Sequence, residues 1–297
     1  MLGSAVPVAA QQTTFSADVN VVTLMATVRD KEGRIARDLT REDFVLQDDG
    51  KRQNITYFSR ESDLPLTIGL LVDTSRSQRG VLEAERKASY TFLDQVLREG
   101  KDSAFVTAFD TKVRLLQGFT SSRAELASAL ERLSIPDRSA TVIFGAIRDT
   151  AESQMRPRKD RKAFIVLSDG VSFRDTTSIG TAIEYAQRAD SIIYSILFAE
   201  HRGIRRPVRG AAMGMMALRG KQALQRLARE TGGDFFEVSA ANPITKTYSA
   251  IEETLRNQYS IGYTPQVPGK SGQYRKIKLA TKRAGLVVQT RDGYYAK

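Results

Sequence analysis

The feature that most constrains the fold of this chain is a regular alternation of apolar strands with amphipathic helices along its middle part. Residues 66–72 are almost all apolar, as in a strand that is covered on both faces. Ala88, Phe92 and Val96 then follow at helical spacing, and pairs of strand and helix continue as far as residue 257. This alternation predicts an α/β fold, with a doubly wound, mostly parallel sheet that is covered by helices on both faces.

The individual elements of this α/β part follow from the same apolar periodicities. We predict strands at 66–72, 103–109, 113–116, 163–167, 192–198 and 235–238, and helices at 81–99, 122–133, 142–154, 179–189, 222–230 and 244–257. The segment 202–219 carries several arginines and glycines, and we expect it to be an exposed, mobile loop.

The two flanks of the α/β part carry β patterns instead. Asp48, Asp49 and Gly50 separate the strand-like segments 44–46 and 55–58 and indicate a hairpin. Because chain ends tend to lie close together, we predict that the flanks build one small β module, in which the tyrosines of the second flank pack. The predicted parts are a tail at 1–16, a β segment at 17–62, an α/β domain at 63–257 and a β segment at 258–297. After the tail, the first strand is expected at 18–28.

Composition narrows the chemistry that the chain can perform. There is no cysteine, which excludes disulfides, thiolate zinc sites and cysteine nucleophiles. A Ser–His–Asp triad would need the single histidine, His201, which stands beside a stretch rich in arginine and glycine. The 45 Lys and Arg residues against 34 Asp and Glu residues give a net charge of +11, which indicates either a solvated basic surface or an acidic partner, such as nucleic acid, anionic lipid or an acidic protein surface. The same two interpretations hold for the arginines of the loop at 202–219.

The N-terminus bears on where the protein acts. Residues 1–12 are apolar and then abruptly polar, and Val8 and Ala10 fit the small-residue rule for signal-peptide cleavage before Gln11. The apolar stretch is short and has no positive segment before it, so a tail outside the fold is the alternative interpretation. We predict an exported protein, periplasmic or extracellular. No transmembrane segment is expected, since no apolar run approaches the roughly 18 residues that span a bilayer.

Oxygen-bearing side chains cluster at the ends of two predicted strands. Asp73, Ser75 and Ser77 directly follow the first strand of the α/β part, and Asp169 follows the fourth. Ligands of open α/β sheets bind at the carboxyl ends of the strands, so these residues are the first candidates for a site, together with Thr141 in a loop before a helix. Two carboxylates and three hydroxyls are hard oxygen ligands. They suit Mg²⁺, and also Mn²⁺ or Ca²⁺, better than zinc or copper.

Each of these residues also has a plainer explanation when it is taken alone. Asp73 and Asp169 are types that are common in turns, and Thr141 could simply cap a helix. Their joint order along the chain favours the metal site. The pattern Asp73-x-Ser75-x-Ser77 after an apolar strand resembles the metal-ion-dependent adhesion site (MIDAS) of von Willebrand factor A (VWA) domains. The resemblance extends to the threonine, to the second aspartate and to the stretch LARETGGDF at 227–235.

This resemblance implies a role for each candidate. Ser75, Ser77 and, in a ligand-ready state, Thr141 would coordinate the ion directly, whereas Asp73 and Asp169 would act directly or through water. An open position on the ion would then accept an Asp or Glu carboxylate from a partner protein. The resemblance also implies that the helix at 244–257 shifts when the site is occupied.

Two departures from the family pattern accompany these matches. Arg76 stands where many members have glycine, and its guanidinium could weaken metal binding or help to hold the incoming carboxylate. Ser139 and Ala140 stand where further glycines are common, which affects the mobility expected of that loop. The flanks are similar to a bacterial group of exported VWA-related proteins, abundant in acidobacteria, through DLTREDF at 38–44 and QYSIGY at 258–263.

The residues and the resemblance together favour a metal-dependent protein-binding module that is not an enzyme. A metal-dependent hydrolase is a weaker alternative, because no histidine and no second carboxylate cluster stand near the candidate site. A nucleic-acid-binding VWA module is the other alternative, suggested by the positive charge, although the sequence has no aromatic-rich basic stripe. Its binding would weaken steeply with salt.

Overall fold

The structure, a computed structural model, describes residues 21–60, 64–137, 140–198 and 211–296. The predicted tail, His201 and the segment 202–210 lie outside the described residues. The described strands are β1 (Val22–Arg29), β2 (Phe44–Asp48), β3 (Lys51–Gln53), β4 (Tyr57–Ser59), β5 (Leu66–Asp73), β6 (Ser103–Phe109), β7 (Val113–Thr120), β8 (Arg161–Ser168), β9 (Ser191–Leu197), β10 (Phe235–Glu237), β11 (Tyr259–Tyr263), β12 (Tyr274–Thr281), β13 (Val287–Gln289) and β14 (Gly293–Tyr295). The described α-helices are α1 (Leu82–Val96), α2 (Arg123–Glu131), α3 (Ile143–Thr150), α4 (Ile179–Arg188), α5 (Ala211–Thr231) and α6 (Ile244–Arg256).

Six of these strands form the central sheet, in the order β10-β9-β8-β5-β6-β7. Neighbouring strands are parallel except β6 and β7, which are antiparallel. Every residue of β5, β8 and β9 is buried, as expected for strands that have helices on both faces. The predicted doubly wound α/β fold is therefore confirmed, with one antiparallel edge strand that makes the sheet mixed.

The helices cover the sheet in two layers, each with its own apolar core. Helices α1, α2 and α6 contribute to the core on one face, which also contains Leu70 of β5. Helices α3, α4 and α5 contribute to the core on the other face, which contains the next residue, Leu71. Successive side chains of a strand point to opposite faces, so a continuous apolar strand supplies both cores. Full burial of a leucine contributes about 1.5–3 kcal/mol.

The remaining eight strands form two four-stranded antiparallel sheets, β13-β1-β11-β4 and β14-β12-β2-β3. Strands from the two flanks pair directly, β1 with β11 and β2 with β12. The two sheets share one buried cluster that includes Leu24, Leu46 and Tyr259. The small β module predicted from the N- and C-terminal segments is thus present.

The hairpin in this module differs from the prediction in its second strand. Asp49 and Gly50 have φ of 48° and 78°, and they join β2 to β3 in a tight turn. The predicted strand at 55–58 is displaced to Tyr57–Ser59, which pairs with β11 in the other sheet. The turn was correctly located, but its partner strand depends on pairing between distant segments.

The expectation of an exposed loop at 202–219 is wrong over its second half, because α5 begins at Ala211. Glycine and arginine content suggested a loop, yet methionine, alanine and leucine dominate 211–218 and have high helix propensity. Met213 and Leu218 lie on this first part of α5 and are exposed. Among the described residues, no helix has the length and apolar character that a membrane span requires.

Candidate metal site

The candidate site lies where β5 and β8 end side by side, at the carboxyl edge of the central sheet. Asp73 is the last residue of β5, and Asp169 follows the last residue of β8. The two strands are parallel neighbours, with Val72 opposite Leu167. Parallel pairing therefore brings two aspartates that are distant in sequence to the same edge of the sheet.

Asp73 is fully buried, and both of its carboxylate oxygens accept hydrogen bonds. Oδ1 accepts from the backbone N–H of Ser75 at 2.8 Å, and Oδ2 accepts from the hydroxyl of Ser168 at 2.6 Å. Burial, and after it the negative charge of Asp169, raise the pKa of Asp73 to about 7 against the opposing effect of these hydrogen bonds. The fold therefore holds this carboxylate in a place where its negative charge is unfavourable without a cation.

The two serines lie close together in the loop after β5. The hydroxyl oxygens of Ser75 and Ser77 are 3.0 Å apart, and Ser75 is buried whereas Ser77 is exposed. A 3₁₀ turn over Arg76–Gln78 shapes the loop, in which the N–H of Gln78 donates to the carbonyl of Ser75 at 3.0 Å. Arg76 is exposed. The alternating hydroxyls therefore converge, as expected from the sequence pattern.

Asp169 is partly buried, and its Oδ1 accepts from the N–H of Val171 at 2.9 Å. With its amide oriented to satisfy both neighbours, Gln78 accepts from the N–H of Asp169 at 3.2 Å and donates to the carbonyl of Phe198 at 2.9 Å. The side chain of Gln78 thus ties the serine loop to the ends of β8 and β9. Gly220 of α5 packs behind the same turn and leaves room for the carbonyl of Asp169.

Thr141 belongs to a different loop and is 6% exposed. Its N–H donates to the carbonyl of Phe173 at 3.0 Å and its carbonyl accepts from the N–H of Phe173 at 3.1 Å, four residues beyond Asp169. The N–H of Val142, the next residue, donates to the carbonyl of Asp110. The carboxylate of Asp110 in turn accepts from the hydroxyl of Thr74 at 3.0 Å. These bonds fasten the threonine loop to both loops that carry the aspartates.

The structure thus brings Asp73, Ser75, Ser77 and Asp169 to one edge and links the loop of Thr141 to it. Within the part of the chain that the structure describes, no three His, Cys, Asp or Glu side chains form a group that could hold an ion by themselves. Coordination would therefore need the hydroxyls. Two carboxylates that disfavour each other's charge, beside two adjacent hydroxyls, fit a hard divalent cation that keeps water ligands.

Several residues that shape this edge were not among the candidates predicted from the sequence. Ser168 and Gln78 hold the two aspartates through side-chain hydrogen bonds, and Gly220 allows the close approach of α5. Glu85 of α1 is buried near the site, and its helical spacing from Leu82 was the available signal that it lies on the inward face. For Gln78, the sequence carried no signal.

A cleft of about 970 Å³ lies next to the β module, at the edge of the central sheet opposite the candidate metal site. Its lining includes several arginines. Arg158 pairs with Asp160 at 2.8 Å, and Arg291 pairs with Asp190 at 2.8 Å. Much of the positive charge in this cleft is therefore already compensated within the fold.

Comparison with known proteins agrees with this fold and this edge. Residues 68–172 match the family described as von Willebrand factor type A domain. The matched segment runs from β5 to just past Asp169 and includes all five candidate ligands. Residues 68–172 are thus similar to VWA domains, and the strands of the small β module lie outside the matched segment. No curated protein matches the sequence.

Solved structures with a similar fold include proximal thread matrix protein 1 from the mussel byssus, with a TM-score of 0.52 and 15% identity. The similarity covers 70% of this chain and 51% of the mussel protein, so the chain spans about half the length of that protein. A structure of the same protein with a zinc-occupied MIDAS motif matches with a TM-score of 0.52, 15% identity and coverages of 70% and 49%. The VWA domain of the type V pili tip protein Mfa5 from Porphyromonas gingivalis has a TM-score of 0.48, 14% identity and coverages of 65% and 95%. At such identities the likeness concerns the fold.

Proposed function

We propose that this chain is a protein-binding module of the adhesion type. In this proposal, Asp73, Ser75, Ser77, Thr141 and Asp169 hold a divalent cation, which binds an Asp or Glu side chain of a partner protein. Mg²⁺ is the expected ion, and Mn²⁺ and Ca²⁺ are alternatives that the same oxygen ligands accept. The chain would act as a binding protein and not as an enzyme.

The observation that carries this proposal is the position of the Asp73 carboxylate. It is buried, it contacts the serine loop through Oδ1 and the end of β8 through Oδ2, and its pKa is raised by burial and by Asp169. A divalent ion would compensate both negative charges. A cation can be bound by carboxylate oxygens that are held in fixed positions. An aspartate that only stabilised a turn would need neither to be buried nor to have a second aspartate beside it.

The exposed rim of the site favours a partner that carries a carboxylate. Ser77 and Arg76 are both exposed, so a ligand that reaches the ion would also pass the guanidinium of Arg76. Arginine binds carboxylates with paired hydrogen bonds, which would strengthen the hold on an Asp or Glu side chain. A bound divalent ion would supply a Lewis-acid position for that carboxylate, and the protein would supply the orientation.

The metal is tested by calorimetric titration of the purified chain with Mg²⁺ and Mn²⁺. We expect one bound ion per chain in the wild type and none in Asp73→Ala. Asp94→Ala is a matched control, because Asp94 forms a surface ion pair with Arg123 on the outer side of α1. Metal binding that persists unchanged in Asp73→Ala would refute the site.

The partner is tested by affinity capture from the organism that makes the protein, with Mg²⁺ or with EDTA. Capture should require Mg²⁺ and should fail with Asp73→Ala. A partner that is captured equally well in EDTA would show that binding does not pass through the ion.

Export remains part of the proposal, together with the resemblance to exported bacterial VWA-related proteins. It is tested by fractionating cells and by sequencing the N-terminus of the mature protein. A mature chain that begins at Gln11 would agree with signal-peptide cleavage, whereas an intact N-terminus in the cytosolic fraction would contradict it.

A further inference from the structure

Glu85 is a carboxyl group that the fold buries without a hydrogen-bond donor. It is 0% exposed, and neither Oε1 nor Oε2 has a hydrogen-bond partner among the residues that the structure describes. Buried polar groups in native structures are nearly always hydrogen-bonded, and an exception calls for water, an ion or a functional role. Glu83 on the same helix shows the ordinary case, since its carboxylate is exposed and pairs with Arg86.

The position of Glu85 places it beside the candidate metal site. Helix α1 follows the serine loop directly, with the N–H of Val81 bonded to the carbonyl of Gln78 and the N–H of Glu85 bonded to the carbonyl of Val81. Glu85 lies on the buried face of α1, on which Ser89 and Phe92 also lie. The first turns of α1 thus carry a carboxyl group inward from the loop that holds the serines.

The neighbours of Glu85 make its burial more unfavourable. After burial itself, the negative charges of Asp73 and Asp169 raise its pKa well above the ordinary value. Three carboxyl groups therefore lie near one another, and the charges of Asp73 and Asp169 disfavour an ionised Glu85. Three neighbouring carboxyl groups destabilise the fold when no cation is bound, and a divalent cation would compensate their negative charge.

We propose that Glu85 is a third carboxylate of the metal site, which acts on the divalent cation through water from the side of α1. The inference rests on the proposed metal site and extends it. We propose a contact through water because, among the described residues, no three His, Cys, Asp or Glu side chains lie close enough together to hold an ion directly.

A purely structural role for Glu85 predicts a different behaviour. A neutral carboxyl group that only fills space in α1 can be replaced by the amide of glutamine without any effect on the ion. A carboxylate that compensates the ion cannot, because the amide carries no charge. Removal of groups that support metal ligands typically lowers metal affinity by about 10- to 100-fold.

The experiment compares wild type, Glu85→Gln and Glu83→Gln. Glu83→Gln removes the same charge from an exposed position on the same helix and is the control. Mn²⁺ affinity is measured by calorimetric titration, and the melting temperature is measured in EDTA. We expect Glu85→Gln to bind Mn²⁺ at least about 10-fold more weakly and to melt at a higher temperature in EDTA, since one of three repelling carboxyl groups is gone. Glu83→Gln should match the wild type in affinity.

Two outcomes overturn the inference while leaving the metal site in place. One is a Glu85→Gln variant with wild-type Mn²⁺ affinity, and the other is a variant whose loss of affinity comes with a lower melting temperature in EDTA, which indicates damage to the fold. A wild-type protein that binds no Mn²⁺ overturns the metal site itself. The failure of the inference is thus distinguishable from the failure of the proposed function.

Discussion

Gly220 of α5 lies against the backbone of Gly170, so that a β-carbon on Gly170 would stand 2.3 Å from the Gly220 carbonyl oxygen. The approach is mutual, because a β-carbon on Gly220 would stand 2.5 Å from the carbonyl oxygen of Asp169. Gly170 also has a φ of 74°, which favours glycine. Helix α5 therefore supports the turn that carries the second aspartate of the site.

The first prediction follows from this contact. Gly220→Ala places a methyl group against backbone atoms that cannot move aside, so we expect a loss of about 1–3 kcal/mol in the free energy of unfolding. Metal affinity should fall as well, because the turn at Asp169 is displaced. Chemical denaturation and calorimetric titration check the two effects.

Gly214→Ala in the same helix is the control for that variant. A β-carbon at Gly214 meets no atom of the described residues within 4 Å, so the substitution should only improve helix propensity, by up to about 1 kcal/mol. Equal stability of the two variants would show that the close approach of α5 and the turn has no energetic importance.

The second prediction concerns Ser168, whose hydroxyl donates to Asp73 and accepts from the N–H of Gly170. Ser168→Ala removes the donor that orients the buried carboxylate, so Mg²⁺ affinity should fall by about 10- to 100-fold. Ser153→Ala, which removes an exposed hydroxyl that donates to the carbonyl of Asp149, should bind Mg²⁺ like the wild type. Wild-type affinity in Ser168→Ala would mean that this hydrogen bond does not orient Asp73.

The third prediction concerns pH and a structural ion cluster. Asp102 is buried and accepts from Arg98, from Arg256 and from the N–H of Leu66. Burial alone would raise the pKa of Asp102, but these hydrogen bonds outweigh it and hold the pKa well below the ordinary 3.8. Because the folded-state pKa is the lower one, this cluster stabilises the fold above about pH 4 and loses its contribution as the pH falls further.

Asp102→Asn should therefore cost about 1.5–3 kcal/mol near neutral pH, because the partly buried Arg98 and Arg256 lose their hydrogen bonds to a charged carboxylate. Its difference from the wild type should shrink as the pH falls below about 4. Urea unfolding at a series of pH values measures this. A difference that stays constant down to the lowest pH would contradict the assignment of the pH dependence to Asp102.

The fourth prediction concerns the β module, where Arg275 Nε donates to Asp48 Oδ1 at 2.8 Å with both side chains buried. The hydroxyls of Tyr263 and Tyr294 donate to Asp48 Oδ2 at 2.9 and 3.1 Å. Arg275→Met leaves the carboxylate without its positive partner and should cost about 3–5 kcal/mol. Lys278→Met, at an exposed position of the same strand, should change stability by less than about 0.5 kcal/mol. If the denaturation curves of the two variants coincide, the buried pair does not stabilise the module.

The sequence was most informative where burial is continuous. The strand at 103–109 was predicted with the bounds that the structure has, because a continuously buried strand leaves a strong pattern. The edge strand β7 extends to Thr120, four residues beyond its predicted end, since partly exposed edge strands carry a weaker pattern. The fold class followed from the alternation of strands and helices along the whole α/β part of the chain, which does not depend on any single element.

Features that depend on distant contacts could not be predicted in the same way. The pairing of Tyr57–Ser59 with β11 is decided by a segment about two hundred residues away, and nothing local indicates it. The helical start of α5 was hidden by glycines, one of which, Gly220, serves contact with Asp169. At the site, residue types identified the aspartates and hydroxyls, whereas Ser168 and Gln78 act through hydrogen bonds that only the fold creates. The roles of the five candidate ligands stay predictions until metal binding is measured.

The passage from α6 into β11 has a mechanical consequence. Only Asn257 and Gln258 separate the end of α6 from β11, which is held between β1 and β4. Arg256, at the end of α6, is further tied to Asp102 at 2.9 Å. A sliding of α6 along its own axis must therefore be absorbed by two residues or must pull a central strand out of the β module. Any displacement of this helix would put the module under tension, so a load applied to the C-terminal strands would oppose the movement.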